Sequence, residues 1–182
     1  MKKIYLILAI ISIVTATSIF LPAITKSVTV GDETIKYVYY GFDVTFGKSN
    51  IPDATGSTYG ASVTTSIPFS IFAFIAYFLP VIVLIIEVLL KKNNQTALVI
   101  LSLSFLISAI LLLIITSITN IKIIVDSGNY YDIQKVSFAK LNFRFSYSTI
   151  IGGIISLSGC ILAGFKGIEK KGDEAKWKEN IK

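Results

Sequence analysis

The sequence predicts an all-α transmembrane four-helix bundle that carries a small extracellular antiparallel β-sheet. Four long segments are apolar and almost free of charge, and each could cross about 30 Å of hydrocarbon as a helix. Two polar segments separate the first from the second and the third from the fourth. In both of them apolar residues recur at every second position, which is typical of strands. The apolar segments therefore predict the bundle, and the alternating segments predict the sheet.

Composition limits the chemistry of the chain. Its 182 residues are 53% hydrophobic with a mean hydropathy of +0.73, which is high for a soluble domain. The chain has no histidine and one cysteine, so it predicts no metal site, no catalytic triad and no internal disulfide. No cofactor is predicted. The net charge is +6, but the basic residues lie beside apolar segments, so nucleic acid is not a predicted partner. The frequent Ile, Lys and Asn are typical of an AT-rich bacterial genome.

The first apolar segment runs over about residues 4–25, after Lys2 and Lys3. A cleaved signal peptide, with its cleavage site at Val14-Thr15-Ala16, is the alternative interpretation. The apolar character continues past that site to Ile24, which favours a retained span. Pro22 suits the outer end of such a helix, where its missing N–H disturbs few hydrogen bonds.

The first outer loop, residues 26–66, predicts a β-hairpin with its turn at Gly31-Asp32. Residues 48–66 are rich in Ser, Thr, Gly and Asn, and predict an irregular loop. The period of two is clearest in the second half of the hairpin, at Val38, Tyr40, Phe42, Val44 and Phe46.

The remaining spans are predicted over about residues 67–90, 96–121 and 146–165, with a cytoplasmic tail at 166–182. Pro80 predicts a kink in the second span. The second outer loop, 122–145, alternates with a phase slip near Lys140, which predicts a β-bulge. The alternating residues are Val136, Phe138, Leu141, Phe143 and Phe145. We expect the two loops to form one small sheet on a single integral membrane domain, residues 1–182.

Lysines next to the apolar segments predict the topology. They all flank one end of the spans, and the positive-inside rule makes that end cytoplasmic. Both termini are then cytoplasmic, both outer loops are extracellular, and the protein is multi-pass in the plasma (cytoplasmic) membrane. The flanking lysines are Lys2, Lys3, Lys91, Lys92, Lys166, Lys170 and Lys171.

Small residues recur every four positions in the fourth span. Such residues let helix backbones approach closely in lipid. They predict packing within the bundle, and contact between copies of the chain is the alternative. Cys160 is interpreted as a packing residue rather than a reactive thiol. The strip consists of Ser148, Gly152, Ser156, Cys160 and Gly164.

Glu87 is the one ionisable residue well inside a predicted span. A carboxylate there is a candidate for proton or cation coupling. The alternative is a pair with Lys91 four residues later, because Glu and Lys at that spacing attract each other on a helix.

Aromatic and basic residues of the outer loops are candidates for contact with a partner. Aromatic side chains anchor protein interfaces, but they also gather at the membrane surface or form the core of a small sheet. Lys140 and Arg144 would suit anionic lipid or an acidic partner. The candidates are Tyr37, Tyr39, Tyr40, Phe42, Tyr130, Tyr131, Lys140 and Arg144.

Four spans, a long β-like first outer loop and a shorter second one resemble the claudin-like tetraspan (four-transmembrane) superfamily in topology. Claudins commonly end their first span with Leu-Pro-x-Trp, and Leu21-Pro22-Ala23-Ile24 matches the Leu-Pro but lacks the Trp. The Trp…Gly-Leu-Trp…Cys…Cys motif of the first claudin loop is absent. The resemblance implies contact through the outer loops, and tight-junction pore formation is not carried over.

These observations predict a non-enzymatic membrane protein whose extracellular loops mediate association with another membrane protein or with a copy of itself. Its other partner is the lipid bilayer. The alternative is a small transporter or channel component, or an accessory subunit of a membrane complex, for which Glu87 is the main support. An intramembrane enzyme is disfavoured because no acid–base or nucleophile pair lies within or beside the spans.

Overall fold

The computed structural model describes residues 2–51, 62–90, 95–126 and 131–179. Four of its helices are long and apolar enough to cross a membrane, which confirms the predicted helical architecture and indicates a multi-pass membrane protein. Their apolar windows are Lys3–Phe20, Ile71–Leu89, Gln95–Leu113 and Tyr147–Glu169.

The described helices are α1 (Lys2–Thr17), α2 (Gly41–Phe46), α3 (Ile71–Leu89), α4 (Gln95–Leu113), α5 (Ile115–Ile118) and α6 (Tyr147–Glu179), and a 3₁₀ turn (Ser18–Phe20) follows α1. The four long helices form a ring in the order α1, α3, α4, α6, in which each contacts the two beside it. The two short helices, α2 and α5, lie at the end of the ring that also carries the strands.

In the described residues seven strands form two antiparallel sheets at one end of the bundle, and we call these sheets with their connecting turns the β-layer. They are β1 (Pro22–Val30), β2 (Glu33–Tyr40), β3 (Lys48–Ile51), β4 (Ser62–Ile67), β5 (Asn120–Asp126), β6 (Tyr131–Ser137) and β7 (Arg144–Phe145). One sheet has the order β2-β1-β7 and the other β3-β4-β5-β6. The expectation of a single sheet is therefore wrong, although each sheet does join strands from both loops.

The predicted hairpin is confirmed. Strand β1 pairs with β2 from Pro22–Tyr40 to Val30–Glu33, so Gly31 and Asp32 form a two-residue turn. Gly31 has a φ of 63°, a conformation that glycine adopts at no steric cost.

Two predicted spans are too long. Helix α1 ends at Thr17 instead of near residue 25, and α4 ends at Leu113 instead of near residue 121. The apolar residues that follow belong first to the 3₁₀ turn and to α5, and then to β1 and β5, whose backbone groups pair with neighbouring strands. A short run of β-branched residues has the same composition in a buried strand as at a helix end, so the pattern alone does not separate them. Helix α6 continues past the predicted end at Phe165, as far as Glu179.

Two alternating stretches are not the strands that we predicted. After Tyr40 the chain forms α2, in which Val44 is buried while Phe42 and Phe46, four residues apart, share the exposed face. The second stretch is not one bulged strand. It is β6 and β7, in different sheets, joined by a turn in which Asn142 has a φ of 61°.

The larger core cluster extends from the adjoining half of the bundle into the β-layer. It includes Ile19 and Tyr77 of the helical part together with Ile24, Tyr39 and Phe138 of the β-layer. A second, smaller cluster around Leu8, Leu101 and Phe105 fills the opposite half of the bundle. Because the larger core is shared, the β-layer is held directly on the helices.

Candidate functional site

Three aromatic rings hold the β-layer together. The ring centroid of Tyr39 on β2 lies 5.7 Å from that of Phe138 and 5.6 Å from that of Phe143, and the two phenylalanines are 5.2 Å apart. Aromatic pairs at these distances contribute about 0.5–1.5 kcal/mol beyond the area that they bury. Phe138 and Phe143 lie on the turn between β6 and β7, so this turn joins the two sheets through their core.

Tyr39 is therefore a core residue of the β-layer, which is one of the alternatives that the sequence left open for the aromatic residues of the outer loops. It is 3% exposed, and its hydroxyl has no hydrogen-bond partner within the described part of the chain. Burial, and to a smaller extent the nearby Tyr37 and Asp43, raises the pKa of Tyr39 to about 12. The hydroxyl is thus neutral at physiological pH.

The other predicted contact residues are distributed around the β-layer. Tyr37 is half-buried beside the core, whereas Tyr40 and Phe42 are about half exposed. Lys140 and Arg144 are both exposed. Tyr131 is the first residue of β6, and Tyr130 lies outside the described residues.

Helix α2 connects the β-layer with the bundle. Its Asp43 accepts a hydrogen bond from the backbone N–H of Tyr40 at 3.2 Å, which satisfies a donor at the start of the helix. The same carboxylate lies 3.2 Å from Lys48 Nζ. Gly47 follows the helix, and its φ of 91° and its close approach to the carbonyl oxygen of Ile67 exclude a side chain.

Exposed aromatic side chains surround the end of the bundle next to the β-layer. The ring of Phe42 stacks on that of Phe20, with their centroids 6.3 Å apart, and its centroid lies 4.8 Å from that of Phe46. The ring centroid of Phe46 lies 6.3 Å from that of Phe74 on α3. Further members are exposed at the beginnings of α3 and α6. These are Phe69, Phe72, Phe145 and Tyr147.

The predicted strip of small residues on α6 lies against α1 and α4. A Cβ atom on Gly152 would lie 2.8 Å from Ser18 Oγ and 3.0 Å from Leu112. Cys160 Sγ lies 3.5 Å from Ser102 Oγ, and a Cβ on Gly164 would lie 3.2 Å from the same oxygen. These positions of the strip are therefore covered by neighbouring helices of the same chain.

Ser148, the first residue of the strip, links α6 with α3 and with the turn after α1. Its hydroxyl donates to the carbonyl oxygen of Ser18 at 2.6 Å. Because a serine has one hydroxyl proton, the 2.6 Å contact with Tyr77 Oη must be a hydrogen bond that Tyr77 donates. Tyr77 Oη also lies 2.7 Å from the position that a Cβ atom on Gly41 would occupy. The Tyr77 hydroxyl therefore packs against the first residue of α2.

A hydroxyl chain connects all four long helices. Ser108 of α4 donates to the carbonyl oxygen of Ala76 on α3. Ser156 of α6 is 3.2 Å from Ser108 Oγ and 3.3 Å from Thr15 Oγ1 of α1. Since each hydroxyl has one proton, Ser156 donates to Ser108, and Thr15 donates to Ser156. The chain has a single direction, from α1 through α6 and α4 to α3.

Pro80 explains why the hydroxyl chain ends on Ala76. In a regular helix the N–H of residue 80 would donate to the carbonyl oxygen of residue 76, but proline has no N–H. Helix α3 nevertheless continues through Pro80, from Ile71 to Leu89. The hydroxyl of Ser108 supplies the missing donor, which is how membrane helices satisfy backbone groups that a proline has freed.

Glu87 is buried near the lysine-flanked end of the bundle. It is 5% exposed, and its Oε2 atom has no hydrogen-bond partner among the residues that the structure describes. Tyr5 of α1 lies near enough to interact electrostatically with it, and the Tyr5 hydroxyl is also buried and without a described partner. Lys91, the predicted partner of Glu87, lies outside the described residues.

Sequence patterns missed the hydroxyl partners of α6. Thr15, Tyr77 and Ser108 are buried polar residues in apolar segments, and that is the signal by which they could have been found. The patterns also missed Lys26 and Lys36, which lie on paired strands beside Arg144. Among the described residues, no three His, Cys, Asp or Glu side chains come together as metal ligands would.

Comparisons of the chain with protein-family models, with curated proteins and with solved structures found no match.

Proposed function

We propose that this protein is a non-enzymatic integral membrane protein of claudin-like topology, whose β-layer associates with another membrane protein or with a second copy of the chain. The observation that carries the proposal is the construction of the β-layer. Strands from both loops share one aromatic core, so the loops form an ordered surface at one end of the bundle. An ordered surface binds a partner with less loss of conformational entropy than a flexible loop does.

The proposed topology places the β-layer outside the cell. The lysines that flank the other end of the helices favour a cytoplasmic location for that end in the plasma membrane, with both termini inside. The exposed aromatic residues at the end of the bundle next to the β-layer support the same placement, because aromatic side chains gather at membrane–water interfaces.

The proposal predicts that shortening the hairpins removes the partner while the fold remains. In one variant Asn-Gly replaces residues 27–36, so that a two-residue turn connects the paired residues Lys26 and Tyr37. In the other, Asn-Gly replaces residues 124–133 between the paired residues Ile123 and Gln134. Partners are captured from native membranes in mild detergent after cross-linking. We expect the full-length protein to capture a stoichiometric partner or to form a self-complex. At least one variant is expected to yield about tenfold less of that complex.

The core residues Ile24, Tyr39 and Phe138 stay in both variants, so membrane insertion and thermal stability serve as controls for folding. The proposal is wrong if a doubly shortened variant of normal stability brings down the same complexes as the full-length chain. It is also wrong if the full-length chain brings down no complex.

Transport is a second candidate function, and the buried carboxylate of Glu87 favours it. A buried oxygen without a hydrogen bond is costly, so an intramembrane carboxylate of this kind is a candidate for ion or proton coupling. In liposomes this function predicts a cation or proton flux that falls about tenfold or more in Glu87→Gln. Glu169→Gln is the matched control, because Glu169 is exposed and pairs with Lys166. An absent flux, or one that both variants keep, would exclude this function.

A further inference from the structure

A groove of about 710 Å³ lies beside β1, between this strand and the turn that leads into β7. Its volume is within the range of ligand sites in proteins, about 300–1,000 Å³. The lining comes from four consecutive residues of β1, one residue of β2, one residue of the turn before β7 and the first residue of β7. These are Thr25, Lys26, Ser27, Val28, Lys36, Asn142 and Arg144.

The lining has three positive charges and no carboxylate. Arg144 pairs with Thr25 and Lys36 pairs with Ser27, so these four side chains lie on one face of the three-stranded sheet. Within the described part of the chain, neither Lys36 nor Arg144 has a carboxylate within ion-pair distance. Lys26 lies on the opposite face, with its Nζ atom 5.3 Å from the ring centroid of Phe143. The groove is therefore suited to an anionic ligand.

One edge of β1 is only partly covered by a neighbouring strand. Strand β7 pairs with Ile24 and Thr25 alone, and the residues before β7 form a turn in which Asn142 has a positive φ. Among the described residues no strand lies beside residues 27–30 on that side, which leaves about 13 Å of strand edge. An uncovered strand edge presents backbone donors and acceptors to which an extended chain can be added.

We propose that this groove binds an extended acidic segment of a partner protein, which adds to β1 as a further strand in line with β7. The inference depends on the proposed function and names the chemistry of the partner. The uncovered edge binds the backbone of the segment, and acidic side chains at every second position face Lys36 and Arg144. A phosphate or lipid headgroup would use the charges but not the strand edge, so the edge favours a peptide.

The test is a selection of peptides from a displayed random library on the full-length protein in nanodiscs of neutral lipid. The enriched peptides are expected to be acidic, rich in β-branched residues and free of proline. Their binding to Lys36→Glu/Arg144→Glu is expected to be at least about tenfold weaker, because like charges across an interface repel each other. Lys122→Glu/Lys135→Glu is the matched control, with the same charge change on paired residues of the other sheet, and it is expected to bind normally.

Two further measurements separate strand addition from simple charge attraction. Methylation of alternate backbone nitrogens in the peptide keeps its charge but removes donors, and is expected to abolish binding. Peptides with Lys in place of Glu are expected to bind the Lys36→Glu/Arg144→Glu variant, which would show that this variant is folded. The proposal is overturned by a selection without acidic enrichment, by equal binding of the methylated peptide, or by binding of anionic vesicles alone.

Failure of the groove to bind acidic segments can be distinguished from failure of the β-layer to associate with a partner. If the cross-linked partner from native membranes still binds Lys36→Glu/Arg144→Glu, the groove is not the contact, although association through the β-layer stands. If acidic peptides bind as described but no native complex depends on the hairpins, the groove stands and the proposed association fails.

Discussion

Changing Gly41 to alanine is expected to lower the free energy of unfolding by about 3 kcal/mol, at the upper end of the usual cost of overpacking. A Cβ atom at this position would lie 2.7 Å from the carbonyl oxygen of Ile19, 2.9 Å from its Cα and 2.7 Å from Tyr77 Oη. Two of these three atoms belong to the backbone and cannot rotate away. To make room, α2 would have to move off the end of α1, which would also disturb the hydrogen bond from Gly41 N–H to the carbonyl oxygen of Leu21.

The measurement is the thermal or denaturant midpoint of the purified protein in detergent. Gly31→Asn is the control, since no atom lies within 4 Å of a Cβ at that position and asparagine tolerates its positive φ. Equal midpoints for Gly41→Ala and Gly31→Asn would show that α2 is not packed against the bundle as described.

Changing Ser108 to alanine is expected to cost about 1–3 kcal/mol, because the carbonyl oxygen of Ala76 would then be buried without a donor. The cost depends on Pro80. In a Pro80→Ala background the new N–H can bond to the Ala76 oxygen within the helix, so the same Ser108→Ala change is expected to cost distinctly less. A double-mutant cycle of unfolding free energies in detergent or bicelles measures this coupling.

Ser104→Ala is the matched control for Ser108→Ala. Ser104 is also a buried serine of α4, but its hydroxyl donates to the carbonyl oxygen of Leu101 within its own helix. We expect this change to cost little and to show no coupling with Pro80. If Ser108→Ala costs the same in both backgrounds, Ser108 does not replace the donor that Pro80 lacks.

Sequence patterns predicted the elements that depend on local properties. Long apolar segments identified the four helices, and the turn residues Gly31-Asp32 identified the hairpin, because length and turn chemistry are properties of one segment. The boundary between α1 and β1 was not predictable in this way. The apolar run through Ile24 suits either a helix in lipid or a buried strand, and only pairing with β2 and β7 decides between them.

The details of the candidate site depend on contacts between distant parts of the chain. The second alternating stretch is divided between β6 and β7, and their assignment to different sheets depends on which strands lie beside them. For Tyr39 the sequence left both a core position and contact with a partner open, because an aromatic residue in a loop gives the same sequence pattern in either case. Likewise, the small residues of α6 predicted close packing, but not that Ser156 would lie between Thr15 and Ser108.

The hydroxyl chain has a consequence for the biogenesis of the protein. Its central member, Ser156, belongs to the last of the four helices to leave the ribosome, and that helix contacts both α1 and α4. Until α6 inserts, the Thr15 hydroxyl has no Ser156 to receive its proton, and the ring of α1, α3 and α4 has an open side. The first three helices are thus expected to remain a loosely associated translation intermediate, which the arrival of α6 converts into the closed bundle.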